Sequence, residues 1–175
     1  MSEAIGQYRT ACRRFSEVVA EGAGRWANPS PCAGWDARAV VEHVIGTHDE
    51  LLLQPAGTKR ERPHDDPIAR WDATLPAIDS AIEAPSSGVD LDRLLPDLTI
   101  ELLAHTWDLA KAIGVEPHLD AELCEISYLR VLGYDEQIRS TGLFAAAVPV
   151  HDDTDFPAKF IAFFGRDPEW TPESS

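Results

Sequence analysis

The stretch from Asp97 to Gly114 reads DLTIELLAHTWDLAKAIG and indicates the fold of the chain. Its apolar residues recur every three or four positions, as at Leu98, Leu102 and Leu109, which is the spacing of one face of an α-helix. We expect a helix that begins near Asp97, just after a proline, and ends at Gly114, a residue type that often follows the last helical turn. The stretch therefore predicts a long helix with one buried face.

Two polar residues share this apolar face. Glu101 and His105 are four residues apart, so their side chains project from neighbouring turns on the same side of the helix. Because a buried carboxylate without a partner is costly, a positive charge is expected beside Glu101. A glutamate four residues before a histidine also occurs by chance as an exposed pair. The pair alone is therefore a weak indication of a metal site.

An earlier amphipathic helix supplies a third candidate. Asp36 is a suitable N-cap residue for this helix. The predicted buried stripe of the helix consists of Val40, Val44, Thr47 and Leu51. His43 falls within that stripe, and metal sites in helical bundles are formed by side chains on facing helices. His43 is thus a candidate ligand beside Glu101 and His105.

These three residues form a ligand set with known preferences. Two imidazoles and one carboxylate bind catalytic zinc and leave its fourth position to water or substrate. The same set suits non-haem ferrous iron or nickel. A thiol could fill the open position as a thiolate, because a cation lowers the thiol pKa. The residues alone therefore leave two interpretations open: a polar contact between helix turns, or a divalent-metal site at His43, Glu101 and His105 with zinc as first choice and nickel or iron as alternatives.

Two more long helices are predicted. The first begins at Ser2 and ends at Gly22 or Gly24, and the other begins after Asp66 and is expected to kink at Pro76. The apolar positions of helical spacing are Ile5, Tyr8, Cys12, Phe15 and Val19 in the first, and Ile68, Trp71, Leu75, Ile78 and Ile82 in the other. Each helix therefore has one face suited to a shared core.

The rest of the chain predicts shorter additions. Residues 54–66 are polar and indicate an exposed connection, and residues 143–150 are apolar without helical spacing and indicate an extended segment. A short helix is expected from Asp155 to Gly165. A further helix over residues 120–132 is expected to bury Leu123, Ile126 and either Leu129 or Leu132. Residues 1–175 therefore predict one all-α domain, a four-helix bundle with a short extended segment and a C-terminal helix.

The composition disfavours several classes of partner. Among 175 residues, 15 are basic and 30 are acidic, and the net charge of -15 opposes binding to nucleic acid or anionic membranes. The N-terminus lacks a signal-peptide pattern, and no apolar run approaches the roughly 18 residues of a membrane span. Three widely spaced cysteines predict no disulfide framework. A cytoplasmic protein is expected, and surface apolar material from Trp26, Trp35 and Trp71 would allow a homodimer.

Four other residues have competing interpretations. Cys32 precedes a helix and is either a thiolate favoured by the helix N-terminus or a buried loop cysteine. Asp108 either accepts a ring N–H from His105 or ties its helix to a loop. Arg166 either belongs to a structured C-terminus or binds a substrate carboxylate. His48 lies off the line of the candidate ligand on its helix, so it is expected to be exposed or to support the ligands indirectly.

Several motifs, in this order along the chain, resemble a known family. They are PCAGWD at 31–36, then His43, ELLAHTWDLAKAIG at 101–114 and FFGRDPEW at 163–170. Together they are similar to the actinobacterial DinB-like metal-binding proteins related to the metal-binding domain of mycothiol-dependent maleylpyruvate isomerase. The resemblance implies an antiparallel four-helix bundle and a divalent metal. The family's ligands are a histidine on the second bundle helix and, on another helix, a carboxylate or histidine paired with a histidine, and these positions match His43, Glu101 and His105.

The resemblance also implies a chemistry. It favours a metal-dependent transferase or isomerase that presents the thiolate of a small thiol, with mycothiol as the candidate co-substrate, to a small electrophile. Maleylpyruvate is not the expected substrate, because the isomerase has a second C-terminal domain and this chain ends at Ser175. A second interpretation is a non-catalytic metal-binding stress or regulatory module. A third is a metal-free helical interaction protein in which Glu101 meets a buried cation, such as a lysine or arginine from a neighbouring helix.

Overall fold

The computed structural model describes residues 2–85, 88–142 and 145–172, and its regular secondary structure is helical throughout these ranges. The all-α prediction is therefore confirmed. None of the described helices combines the length and the apolar character that crossing a bilayer requires. The elements in chain order are α1 (Glu3–Ala20), α2 (Ala37–His48), a π-helix (Asp49–Leu53), α3 (Gln54–Ala56), α4 (Pro67–Glu83), α5 (Leu91–Ile113), α6 (Ala121–Leu132), α7 (Asp135–Ser140) and α8 (Phe156–Phe163).

Four long helices share one core. Helices α1 and α2 each pack against both α4 and α5. Tyr8, Phe15, Val44, Trp71 and Leu102 are fully buried where these helices meet. Trp71 therefore offers no surface for the predicted homodimer, contrary to the expectation from the sequence. The rings of Phe15 and Trp71 meet edge to face with centroids 4.8 Å apart. Because burial of such a side chain contributes about 1.5–3 kcal/mol, this core accounts for the packing of α2 on α5, which positions the candidate site.

Aspartates begin most of the longer helices. Asp36, Asp66, Asp90, Asp120 and Asp155 each accept a hydrogen bond from a backbone N–H in the first turn of the helix that follows. Such a cap satisfies a donor that has no partner inside the helix. The starts predicted at residues 36, 66, 120 and 155 are therefore confirmed.

Helix α5 begins earlier than predicted. It starts at Leu91 rather than near Asp97, and Pro96 lies inside it. The side chain of Asp90 accepts the backbone N–H of Arg93 at 3.2 Å, which begins the helix before the proline is reached. Pro96 has no N–H to donate, so the helix loses one hydrogen bond there and continues. Pro96 therefore does not mark the start of α5.

The helix that follows Asp36 changes its spacing after His48. In the π-helix Asp49–Leu53, the backbone N–H of Gln54 reaches the carbonyl of Asp49, five residues earlier. The wider turn rotates the side chains that follow, so Leu52 and Leu53 are fully buried whereas Leu51 is 44 % exposed. The predicted burial of Leu51 is therefore wrong, because ordinary α-helical spacing ends with α2.

His48 is fully buried, contrary to the predicted exposed position. Its Nδ1 lies 2.7 Å from the carbonyl oxygen of Val44, which accepts the ring N–H. The ring lies between Tyr8 and Trp71, with centroids 5.9 Å and 6.0 Å away. Burial lowers the pKa of His48 below its usual value, because a charged imidazole loses its hydration there.

We expect the neutral, buried His48 to make the free energy of unfolding depend on pH. As the pH falls below about 6.5, the unfolded chain binds a proton at this residue while the folded chain resists it. The free energy of unfolding is therefore highest above that pH and decreases below it, by up to about 1.4 kcal/mol per pH unit. Urea unfolding of the native protein and of His48→Phe at several pH values measures the effect. An identical pH dependence in both proteins contradicts it.

Helix α6 presents a different face to the core than predicted. Its buried residues are Leu123, Cys124, Ser127 and Val131. Ile126, Leu129 and Leu132 are 39 %, 57 % and 45 % exposed. The inward face is fixed by packing against α8, a contact between segments distant in the sequence. The prediction followed residue type and therefore chose the wrong face, apart from Leu123.

The predicted extended segment is described only in part. Leu143 and Phe144 lie outside the described residues, and residues 145–150 have no regular secondary structure. The backbone N–H of Val148 donates to the carbonyl of Ala162 at 2.9 Å. This hydrogen bond attaches the segment to α8.

Arg62 is buried, although it lies in the connection that the sequence predicts to be exposed. Arg62 is 9 % exposed and Asp49 is 8 % exposed. The Arg62 guanidinium donates to both carboxylate oxygens of Asp49 and, at 2.9 Å, to the hydroxyl of Thr74. Lys59 lies 3.4 Å from the same carboxylate. The prediction for residues 54–66 is therefore wrong at Arg62, which ties the connection to the π-helix and to α4.

Candidate metal centre

The three predicted ligands lie together in the structure. His43 is on α2, and Glu101 and His105 are on α5, the helix that packs against α2. Oε1 of Glu101 lies 2.6 Å from Nε2 of His43 and 3.3 Å from Nε2 of His105. One potential ligand atom from each residue lies within 4.8 Å of the other two. Two imidazoles and one carboxylate thus converge from two helices.

Exposure increases across this cluster. The side chain of His105 is 8 % exposed, that of Glu101 is 24 % exposed and that of His43 is 38 % exposed. One end of the cluster is therefore fixed in the core, and the other is accessible to solvent. A small molecule can approach from the side of His43.

Glu101 carries a negative charge in this environment. Burial would raise its pKa, but hydrogen bonds and charge interactions with His105 and His43 hold the pKa well below its usual range. The hydroxyl of Thr47 also donates to Oε1, at 3.3 Å. The cluster therefore offers the charge that a cation requires.

His105 is oriented by Asp108. The completely buried Asp108 accepts the Nδ1–H of His105 through Oδ2 at 2.9 Å, and this bond leaves Nε2 directed at Glu101. Burial would lower the pKa of His105, but hydrogen bonds to Asp108, Cys32 and Glu101 raise it well above the usual value. A cation at Nε2 therefore has to displace a proton. Both interpretations of Asp108 are confirmed, because the same carboxylate accepts from the histidine ring and ties α5 to the loop of Cys32 and to Arg166.

Arg166 balances the charge of Asp108. Its Nε and Nη2 donate to Oδ1 and Oδ2 of Asp108, each at 2.7 Å, in a two-pronged ion pair. Burial would raise the pKa of Asp108, but His105 and Arg166 lower it to about 2. Because the guanidinium is bound inside the protein, the structure favours Arg166 as part of a structured C-terminus over Arg166 as a substrate-binding residue.

A second group of potential ligand atoms overlaps the first. Cys32, His105 and Asp108 each offer an atom within 4.8 Å of the other two. The half-buried Cys32 has its Sγ 3.2 Å from Oδ2 of Asp108 and 3.5 Å from Nη2 of Arg166. Because Arg166 already supplies positive charge here, it would repel a metal ion. We interpret this group as the support of His105, with a metal better accommodated on the Nε2 side.

Trp35 lies against both histidines. Its ring centroid is 4.8 Å from that of His43 and 6.1 Å from that of His105. The loop that carries Trp35 is fixed by backbone hydrogen bonds, including one from Ser30 to Trp35 at 3.0 Å. Sequence reasoning assigned neither Trp35 nor Cys32 to the site. The PCAGWD motif at 31–36 was the signal that could have placed both of them there.

Known proteins similar to this chain identify its family. The family model described as the mycothiol maleylpyruvate isomerase N-terminal domain matches residues 8–95. Two uncharacterized proteins of Mycobacterium tuberculosis, MT0763 of strain CDC 1551 / Oshkosh and Rv0738 of strain H37Rv, are each 27 % identical to the chain. Each match covers 82 % of this chain and 86 % of the relative. No solved structure matches the chain.

The family match covers one of the three candidate ligands. Residues 8–95 span most of α1, all of α2 and α4, and His43, whereas Glu101 and His105 lie beyond them. The match extends over half of the chain, and the helical fold is consistent with it. The chain belongs to the family of the mycothiol maleylpyruvate isomerase N-terminal domain.

Proposed function

We propose that this protein is a metal- and thiol-dependent transferase or isomerase that acts on a small electrophile. His43, Glu101 and His105 would bind the metal, with zinc as first choice and nickel or iron as alternatives. The observation that carries the proposal is the approach of two histidine Nε2 atoms to Oε1 of Glu101, at 2.6 Å and 3.3 Å. The family description adds the thiol and the reaction class, since it names mycothiol and an isomerase.

The donor atoms suit a divalent cation. One carboxylate and two imidazoles supply three ligands, and catalytic zinc keeps a fourth position for water or substrate. The Nδ1–H of His105 has the carboxylate partner that metal-binding histidines usually have. The ion pairs of Glu101 within the described residues are with His43 and His105, so a protonated histidine, rather than a lysine or arginine, would be the buried cation of the metal-free interpretation.

The side chains of the site would prepare the reaction by orientation and charge. A bound divalent metal would lower the pKa of a thiol and so supply a thiolate. Asp108, held by Arg166, keeps one proton of His105 on Nδ1, so Nε2 could bind the metal once its own proton is displaced. Trp35 covers the two histidine rings and limits the access of water from its side.

The covalent change would take place between thiol and electrophile. In a transfer by addition, a C–S bond forms at the electrophilic carbon, and the proton lost by the thiol returns to the neighbouring carbon. In an isomerisation, the C–S bond forms and breaks again after rotation about the intervening carbon–carbon bond. The thiol is then released unchanged, and the double bond re-forms in the other geometry.

We expect the thiol to be consumed in a metal-dependent reaction. Mycothiol is mixed with 1-chloro-2,4-dinitrobenzene, from which a thiolate displaces chloride, and the loss of free thiol is followed over time. Protein that carries one zinc per chain should accelerate this loss at least about tenfold over metal-free protein, because only the former lowers the thiol pKa. His105→Ala treated with zinc serves as the matched control and should behave like the metal-free protein.

Two outcomes would distinguish the alternatives. Equal rates with zinc-loaded and metal-free protein, for mycothiol and for other small thiols, would contradict the transferase form of the proposal. The isomerase form releases its thiol unchanged, so it is contradicted instead if neither protein, supplied with the thiol, changes the double-bond geometry of a cis-alkene electrophile. If zinc is nevertheless bound in such an experiment, the non-catalytic metal-binding module becomes the better interpretation. A cytoplasmic location, a homodimer and the absence of nucleic-acid binding stay predictions from the sequence.

A further inference from the structure

A cavity of about 460 Å³ adjoins the candidate metal centre. Glu101 is one of its wall residues, so the cavity and the proposed ligand set share a side chain. The other walls come from α5, from α6 and the residues that follow it, and from Phe164 just after α8. Its size suits a small organic molecule.

Two arginines, Arg93 and Arg130, line this cavity together with the carboxylates of Asp97 and Glu101. Glu101 is paired with the two histidines of the candidate metal centre, so the carboxylate that competes for the arginines is that of Asp97. Arg93 is exposed, and Nη2 of Arg130 lies 3.0 Å from Oδ1 of Asp97. The side chains of Arg130 and Asp97 are 38 % and 62 % exposed, and ion pairs as exposed as this contribute little to stability. An anionic ligand can therefore replace Asp97 at the guanidinium of Arg130 at little cost.

The remaining walls favour a ligand with an apolar body. Ile100, Val131, Ile138 and Phe164 line the cavity, together with the half-exposed ring of Tyr134. These side chains offer contact area to an aryl or alkyl group and few partners for a sugar or an inorganic anion. Arginine presents two N–H donors in the geometry that a carboxylate accepts. The combination therefore points to a carboxylic acid with an apolar body.

Positions along α5 set the dimensions of this ligand. Asp97 precedes Glu101 by four residues and Arg93 precedes it by eight. An α-helix rises about 1.5 Å per residue, so these residues lie about 6 Å and about 12 Å from Glu101 along the helix axis. A carboxylate held beside Asp97 would place the far end of the ligand about 6 Å away, at Glu101.

We propose that this cavity binds the carboxylate of an aryl or alkyl monocarboxylic acid, with Arg130 as its main partner and Arg93 as a second. The reactive carbon of such a substrate would lie about 6 Å from its carboxylate, next to Glu101. The claim that this acid is the electrophile of the reaction rests on the proposed function. The claim that the cavity binds the acid does not.

Calorimetric titration with an unreactive acid tests this proposal. The probe is 4-phenylbutanoate, and 4-phenylbutanamide is its neutral match. The native protein should bind the acid about tenfold more tightly than the amide, since a charge-assisted bond to arginine is lost in the amide. Arg130→Gln should weaken binding of the acid about tenfold and leave the amide unaffected. Asp97→Asn should strengthen binding of the acid about threefold, because it frees Arg130.

Control variants separate a local effect from a change in net charge. Arg60→Gln changes the net charge by the same amount as Arg130→Gln, and Asp72→Asn by the same amount as Asp97→Asn, but both lie at exposed positions outside the cavity. Neither control should change the affinity for the acid. Equal affinities for acid and amide, or equal effects of Arg60→Gln and Arg130→Gln, would overturn the proposal.

A carboxylate could also bind to a metal, so the titration is repeated with His105→Ala. Binding of the acid that persists there and still depends on Arg130 supports the cavity, whereas binding that disappears contradicts it. If the acid binds but no thiol is consumed, the proposed function fails and the cavity stands. If thiol is consumed but the acid does not bind, only the inference about the cavity fails.

Discussion

His105→Ala should be purified without the metal that the native protein retains. Elemental analysis should find about one equivalent of a divalent metal in the native protein and almost none in the variant. The change removes one of three proposed ligands and leaves Nε2 of His43 and the carboxylate of Glu101, which do not complete a zinc site. Loss of an outer partner alone costs about 10- to 100-fold in metal affinity, so loss of a ligand should cost more.

A matched control is available in His151→Ala. His151 is exposed on the C-terminal side of the chain, and the same substitution there should leave the metal content unchanged. One equivalent in all three proteins would place the metal at other residues and contradict the ligand assignment. Metal in none of them would favour the metal-free interaction protein.

Arg62→Met should produce the largest loss of stability among the changes considered. The substitution keeps much of the side-chain volume but leaves the carboxylate of Asp49, which is 8 % exposed, without its main partner. Breaking a buried ion pair from one side costs about 3–5 kcal/mol, because the remaining charge stays buried. Lys59, 3.4 Å from the same carboxylate, offsets part of this cost, so the lower end of that range is expected in urea unfolding.

The double variant Arg62→Met with Asp49→Leu shows whether the cost arises from the unpaired charge. Removal of both charges should recover much of the lost stability, as in other buried pairs replaced by apolar residues. Arg60→Met, at an exposed position in the same connection, should stay within about 0.5 kcal/mol of the native protein. A single variant as stable as the native protein would contradict the structural role of Arg62.

The three candidate ligands could be predicted because helical spacing is a local property. Glu101 and His105 share one face of α5 whatever the rest of the chain does, and His43 lies four residues before Thr47 on α2. Since both helices have an apolar face that must meet a core, polar residues on those faces had to approach each other or a partner. The structure places all three within contact distance.

The partners that hold Asp108 in place beside His105 could not be predicted from spacing. Cys32 lies 76 positions from Asp108, and Arg166 lies 58 positions from it, so their meeting depends on the tertiary fold. The burial of Arg62 and the inward face of α6 were missed for the same reason, since contacts with distant segments decide both. The early start of α5 was missed for a local reason, because the cap at Asp90 prevailed over the proline at position 96.

The π-helix Asp49–Leu53 contains one residue more than an α-helical turn would need. A relative with an uninterrupted helix at this point has to be aligned with a one-residue gap downstream of His43. In an alignment without that gap, the exposed Leu51 is aligned with a core residue of the relative. Arg62 is then aligned one position away from the residue that corresponds to it. Insertion or deletion of a single residue here would leave the upstream histidine in place and change which leucines form the core.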